Sequence, residues 1–140
     1  MSLETFKDSR EYRKVFDEIE RLGLGDYASR LEEEGYVVIP PALVAPKEFQ
    51  DRLRCGIADV HERRDGEKIN VNDLESFQLA QKGPGKAHWA ILEEDPVFQE
   101  AVMNPTVLAM AKYLCGDSVL LSDLNCIIKQ QDERLTHPLH

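Results

Sequence analysis

The sequence predicts an α+β chain whose helices dominate and whose sheet is unfinished. Apolar residues recur at helical spacing between Tyr12 and Leu22, and again between Phe49 and Val60. Prolines and glycines stand where helices start and stop: Pro46 and Gly66 around one run, Pro105 and Gly116 around another. The period then changes to two between Ser118 and Lys129. One long strand and one short one cannot hide both faces of a sheet, so further strands are expected as partners. A chain of 140 residues supports one core, and a single domain over 1–140 is the expectation.

The first helix follows from Tyr12, Val15, Phe16, Ile19 and Leu22, with Asp8 or Ser9 as its cap and Gly23 and Gly25 breaking it. A second, short helix carries Tyr27 and Leu31 and stops at Gly35, the position a left-handed residue takes. Its Glu32-Glu33-Glu34 triplet reads as a solvated helix end. The stretch Gly35-Tyr36-Val37-Val38-Ile39-Pro40-Pro41 predicts a short strand near a sheet edge. Pro46 opens a long helix to about Arg64, with Phe49, Leu53, Ile57 and Val60 as its apolar stripe. His61 is expected at its surface. Periodicity is weak from Glu67 to Ala87, where Gly83-Pro84-Gly85 reads as a turn without the context of a phosphate loop. Pro96 to Met103 is a short helix, and Asn104-Pro105 caps and opens another that ends at Gly116.

The strand over 118–129 has two faces. Leu120, Ser122, Leu124, Cys126 and Ile128 form one; Val119, Leu121, Asp123, Asn125, Ile127 and Lys129 form the other. The second face turns polar toward its end, as a strand lining a site or an edge strand facing water would. A polar loop from Gln130 to Thr136 leads to His137-Pro138-Leu139-His140.

Charge excludes some functions. With 26 acids against 17 bases and a formal net charge of -9, the chain has no broad basic footprint for nucleic acid. No apolar run reaches the roughly 18–20 residues that cross a bilayer, and no membrane partner is expected. The first residues carry no apolar core of a secretory signal, and the cytoplasm is the expected compartment. Cys55, Cys115 and Cys126 are odd in number, widely spaced and set among apolar neighbours, which predicts buried or half-buried free thiols.

Candidate chemistry is sparse. His137-x-x-His140 offers two imidazoles, but a metal needs more than two ligands, and alone the pair reads as a tail. His88 precedes the single tryptophan, Trp89, and reads as a half-buried structural histidine unless it lines a pocket. Glu93-Glu94-Asp95 precedes Pro96 and complements a helix N-terminus. No G-x-S-x-G or H-E-x-x-H motif is present.

The order Glu34-Gly35-Tyr36-Val37-Val38-Ile39-Pro40, a helix, Trp89-Ala90-Ile91-Leu92, a helix closed by Tyr113-Leu114-Cys115-Gly116 and a strand running into Lys129 resembles the N-terminal half of the phytanoyl-CoA dioxygenase family. The final His137-Pro138-Leu139-His140 is similar to a family segment that continues as H-P-L-H-x-D. The resemblance runs from about Leu31 to His140, leaving 1–30 as a helical lead-in. It implies N-terminal helices packed on the first strands of a double-stranded β-helix (jelly-roll) core, incomplete in this chain. It also implies an Fe(II)- and 2-oxoglutarate-dependent oxygenase that hydroxylates a small or acyl-type substrate.

In that family two histidines and a carboxylate hold iron on one face of an octahedron, and an arginine binds the distal carboxylate of 2-oxoglutarate. By resemblance His140 is the first iron ligand, and Asn125 and His88 contact the cosubstrate. His137 orients a neighbouring ligand or forms a turn. Lys129 matches the lysine at the end of the strand, though Gln130 stands where proline often follows. The aspartate, the distal histidine and the arginine would all fall beyond residue 140. Iron and 2-oxoglutarate are therefore expected only for the complete domain, and no catalytic residue is assigned within the chain. The resemblance implies a fragment, inactive as it stands, whose unpaired strand edges favour self-association. The alternatives are a non-catalytic acidic interaction module, or a truncated relative that has lost iron binding.

Overall fold

The computed structural model describes residues 10–73 and 86–128. Asp8, Ser9, Gly83-Pro84-Gly85, Lys129, Gln130 to Thr136, His137 and His140 lie outside the described residues. The elements are α1 (Arg10–Arg21), α2 (Gly25–Glu34), α3 (Pro41–Val44), α4 (Lys47–Asp65), β1 (Lys86–His88), α5 (Pro96–Val102), α6 (Pro105–Cys115) and β2 (Cys126–Ile128). They fall into two units that interleave along the chain, Met1–Lys47 with Glu100–Leu121, and Glu48–Gln99 with Ser122–His140.

The first unit is helical. The stripe on α1 buries Val15 and Ile19, and Gly23 adopts the left-handed φ of 66° that turns the chain toward α2. Ile19, Leu24, Ala28, Ala109 and Met110 form its core, with Tyr27, Leu31 and Tyr113 packed against it. Complete burial of Ile19 alone contributes about 1.5–3 kcal/mol. Gly35 ends α2 at φ 78°, and its N–H donates to the Leu31 carbonyl. Glu32 is exposed, yet its carboxylate accepts the Tyr113 hydroxyl proton, so the acidic triplet is not wholly given to solvent. Desolvation, and then that hydrogen bond, hold the phenol well above its usual titration range.

Two expected strands are largely not strands here. Tyr36 to Ile39 pair with no neighbour among the described residues. Alternation nonetheless survives: Val37 and Ile39 pack on the helical core, while Tyr36 and Val38 are exposed. Pro40 and Pro41 lack the N–H groups a ladder needs. The long strand is confined to Cys126–Ile128, because the described residues supply it with one partner, β1. A ladder needs a neighbour as well as a pattern.

Caps place α6 as its sequence demands. The Asn104 side chain accepts the Val107 N–H at 3.1 Å and donates to the Val44 carbonyl at 2.7 Å. Buried Thr106 donates to the Leu43 carbonyl at 3.0 Å.

The second unit is built around α4. Its buried face carries Phe49, Gly56, Ala58, Val60 and His61, and Gly66 ends it at φ 74°. Gly56 is where Val97 and Phe98 approach most closely; a Cβ built there would stand 2.9 Å from Val97 Cγ1. Ala58, Ile69 and Ile128 form a further cluster with Ile57 and Val71. The thiol expectation is corrected: Cys55 and Cys115 are exposed and Cys126 is half-buried, although all three are free. No helix among the described residues is long and apolar enough to cross a membrane.

Asn104→Ala removes the cap and the tie to Val44 together. We expect a loss of about 1–2 kcal/mol, read as a lower urea midpoint at unchanged slope.

Candidate metal centre

β1 and β2 pair antiparallel, with Lys86 opposite Ile128, Ala87 opposite Ile127 and His88 opposite Cys126. Beyond His88 the register slips. The Ile91 N–H donates to the Leu124 carbonyl at 3.0 Å, so three steps on one strand answer two on the other. The extra residue forms a bulge at Trp89-Ala90, where Ala90 takes a positive φ of 54°. The Asn125 side chain satisfies the displaced backbone, its Oδ1 accepting the Ala90 N–H at 2.9 Å. Asn125 Nδ2 in turn donates to Asp123 Oδ2 at 2.9 Å.

The turn that follows is clamped to the end of α4. Arg63 Nη2 donates to Glu94 Oε2 at 3.0 Å, and Arg64 donates to Glu94 Oε1 from Nε at 2.9 Å and from Nη2 at 2.6 Å. Arg64 Nη1 also donates to the Trp89 carbonyl at 2.8 Å. Hydrogen bonds from Arg64 and then Arg63 hold the Glu94 carboxyl below its ordinary 4.5. The acidic triplet before Pro96 therefore divides its roles. Asp95 Oδ1 accepts the Val97 N–H at 2.8 Å, as a helix cap does, whereas Glu94 serves the two arginines.

These constraints bring two imidazoles together. His88, on β1, is 4% exposed, and His61, on α4, is fully buried. The surface position expected for His61 is corrected by this burial. His61 follows Ile57 by four residues and continues the buried face, despite the charged Glu62-Arg63-Arg64 beside it. His61 Nδ1 lies 3.0 Å from His88 Nε2 and 3.0 Å from Asp65 Oδ2. Asp65 Oδ2 is 3.8 Å from His88 Nε2. The far nitrogen of the same ring, His61 Nε2, is buried without a hydrogen bond and faces Glu67 Oε2 at 3.5 Å.

Of the residues expected at a site, His88 and Asn125 are brought to neighbouring positions of one ladder, and His140 lies outside the described residues. Both described side chains are engaged within the chain, Asn125 on Ala90 and Asp123, and His88 on His61. Sequence reasoning missed His61 and Asp65. The signal was their i, i+4 spacing, which puts both on one side of a helix. Cys126, opposite His88, has its thiol pushed up by burial and is poorly suited to act as a nucleophile.

Comparison of the chain with family models, with curated proteins and with solved structures finds no match.

Two predictions follow from the bulge and the clamp. Ala90→Gly relieves the positive φ and raises stability by about 1 kcal/mol, whereas Asn125→Ala strands the Ala90 N–H and lowers it by about 1–2 kcal/mol; chemical denaturation distinguishes the signs. Because Glu94 titrates lower in the folded chain than in the unfolded one, its contribution is complete above the ordinary carboxyl value. It is lost as pH falls through the depressed folded value. The urea midpoint of the native chain should therefore decline across that acid range, and Glu94→Gln should remove this part of the decline.

Proposed function

We propose that the chain is the N-terminal part of an Fe(II)- and 2-oxoglutarate-dependent oxygenase of the phytanoyl-CoA dioxygenase type. The observation that supports this reading is the β1–β2 pairing. It joins the Trp89-Ala90-Ile91-Leu92 stretch to the strand that runs toward Lys129, two of the segments that carry the resemblance. Exposed apolar side chains agree with an unfinished sheet: Ile127 on β2 is 47% exposed, and Leu120, outside the paired residues of the expected strand, 94%. In this reading further strands of a jelly roll would cover them. The substrate is a small or acyl-type molecule, and the compartment is the cytoplasm.

The described side chains narrow what this part contributes. Asn125, which stands where the resemblance implies a cosubstrate contact, also positions the Trp89-Ala90 backbone. His88 faces His61. Iron, held through His140 and later residues, would supply oxygen activation. The residues described here supply the first pair of strands and their attachment to α4.

The test begins with the coding sequence beyond the codon for His140. An aspartate two positions later, then a distal histidine and an arginine, is the expected result. A stop codon there would overturn the oxygenase reading in favour of an interaction module. In the longer polypeptide, His140→Ala should lower 2-oxoglutarate-dependent oxygen consumption at least about 100-fold; undiminished turnover would remove His140 from the site.

A further inference from the structure

We propose that His61, Asp65 and His88 bind a divalent transition-metal ion of the zinc type, at a site separate from His140 and independent of the oxygenase reading. Three donor atoms converge from two elements: His61 Nδ1 and Asp65 Oδ2 from successive turns of α4, and His88 Nε2 from β1. Their separations are 3.0, 3.0 and 3.8 Å. An ion about 2.0–2.2 Å from each of three such donors needs them roughly 3–3.5 Å apart. Two edges of the triangle have that size, and the third, Asp65 Oδ2 to His88 Nε2 at 3.8 Å, would close by a few tenths of an ångström on binding.

The geometry around His61 is compatible with a bound ion: Nδ1 has two other donor atoms within 3.0 Å, while Nε2 has no hydrogen bond. In the singly protonated ring without an ion, the Asp65 carboxylate places the proton on Nδ1. That leaves Nε2 as a bare lone pair, buried, with the Glu67 carboxylate 3.5 Å away. Lone pair facing carboxylate is unfavourable at both ends. An ion on Nδ1 reverses the tautomer: Nε2 becomes the N–H, with Glu67 Oε2 3.5 Å away as the carboxylate that could move in to accept it. This is the carboxylate–histidine–metal relay that orients ligating imidazoles elsewhere. One change thus accounts for both the crowded nitrogen and the unpartnered one.

Position and charge agree. His61 and Asp65 lie in the last turns of α4, where the carbonyl ends of the helix favour a cation. Two imidazoles and a single carboxylate suit zinc, iron or nickel, whereas magnesium and calcium prefer oxygen alone. Two neutral imidazoles and one carboxylate leave the bound divalent ion with a net positive charge. Three protein donors also leave coordination positions for water or another small ligand.

The probe is zinc chloride, titrated calorimetrically into the 140-residue chain, with magnesium chloride as the control and circular dichroism to verify the helical fold of each variant. We expect saturable one-to-one zinc binding, no magnesium binding, and a higher melting temperature with zinc. Asp65 is a quarter exposed, so Asp65→Asn should fold normally while binding zinc about 100-fold more weakly, and Glu67→Gln should weaken binding about 10-fold. His137→Ala/His140→Ala should retain the tight event. Nitrogen NMR of the rings should show His61 ligated at Nδ1 and protonated at Nε2. Absence of saturable zinc binding, wild-type affinity in folded Asp65→Asn, or loss of the event in His137→Ala/His140→Ala would each overturn the site. None of these results bears on the turnover test of the oxygenase reading.

Discussion

Burial of His61 at the end of α4 is the constraint on which the second unit depends. An imidazole removed from water needs partners for its nitrogens, and the penalty for leaving one unmet is of the order of 1–3 kcal/mol. Asp65 meets the near nitrogen from the next turn of the same helix. His88, brought from another element by β1, approaches that same nitrogen, and His61 Nε2 is left without a hydrogen bond. The residues around β1 are organised accordingly. Arg63 and Arg64 hold Glu94, Arg64 also holds the Trp89 carbonyl, and the turn after β1 is fixed to the helix end that carries His61.

The bulge belongs to the same construction. His88 sits in regular register opposite Cys126, and one residue later the chain inserts an extra position. Ala90 accepts a left-handed conformation that costs an L-residue about 1–2 kcal/mol, and Asn125 takes its N–H. The slip lets His88 face α4 on regular pairing while Ile91, two residues past Trp89, re-enters the core nearly fully buried.

The two metal readings proposed for this chain are distinct. The oxygenase reading rests on sequence resemblance and places its first ligand at His140. The His61–Asp65–His88 set rests on geometry within the described residues and requires nothing beyond them. A zinc-type ion there would link the end of α4 to β1 and strengthen the attachment that the arginine clamp already makes. In a complete jelly roll, that attachment would fix the first strand pair for the strands that follow.

Much of the helical fold was legible from the sequence because its signals are local. The α1 stripe, the left-handed stops at Gly35 and Gly66, and the Asn104 cap depend on residues within a few positions of one another. The strands were less legible, since alternation in 36–39 and 118–129 shows which side chains face inward but not whether a neighbouring strand is present to pair. The sites divided in the same way. His88 stood out beside Trp89, whereas His61 was hidden within a charged run. By itself the sequence determined the helices other than α3, most of their ends and the acidic charge, because these follow from backbone preference and composition. Only the tertiary structure decided that His61 is buried, that His88 meets it and that Glu94 serves two arginines. Each of those depends on groups 27 to 31 residues apart, which no local pattern can bring together.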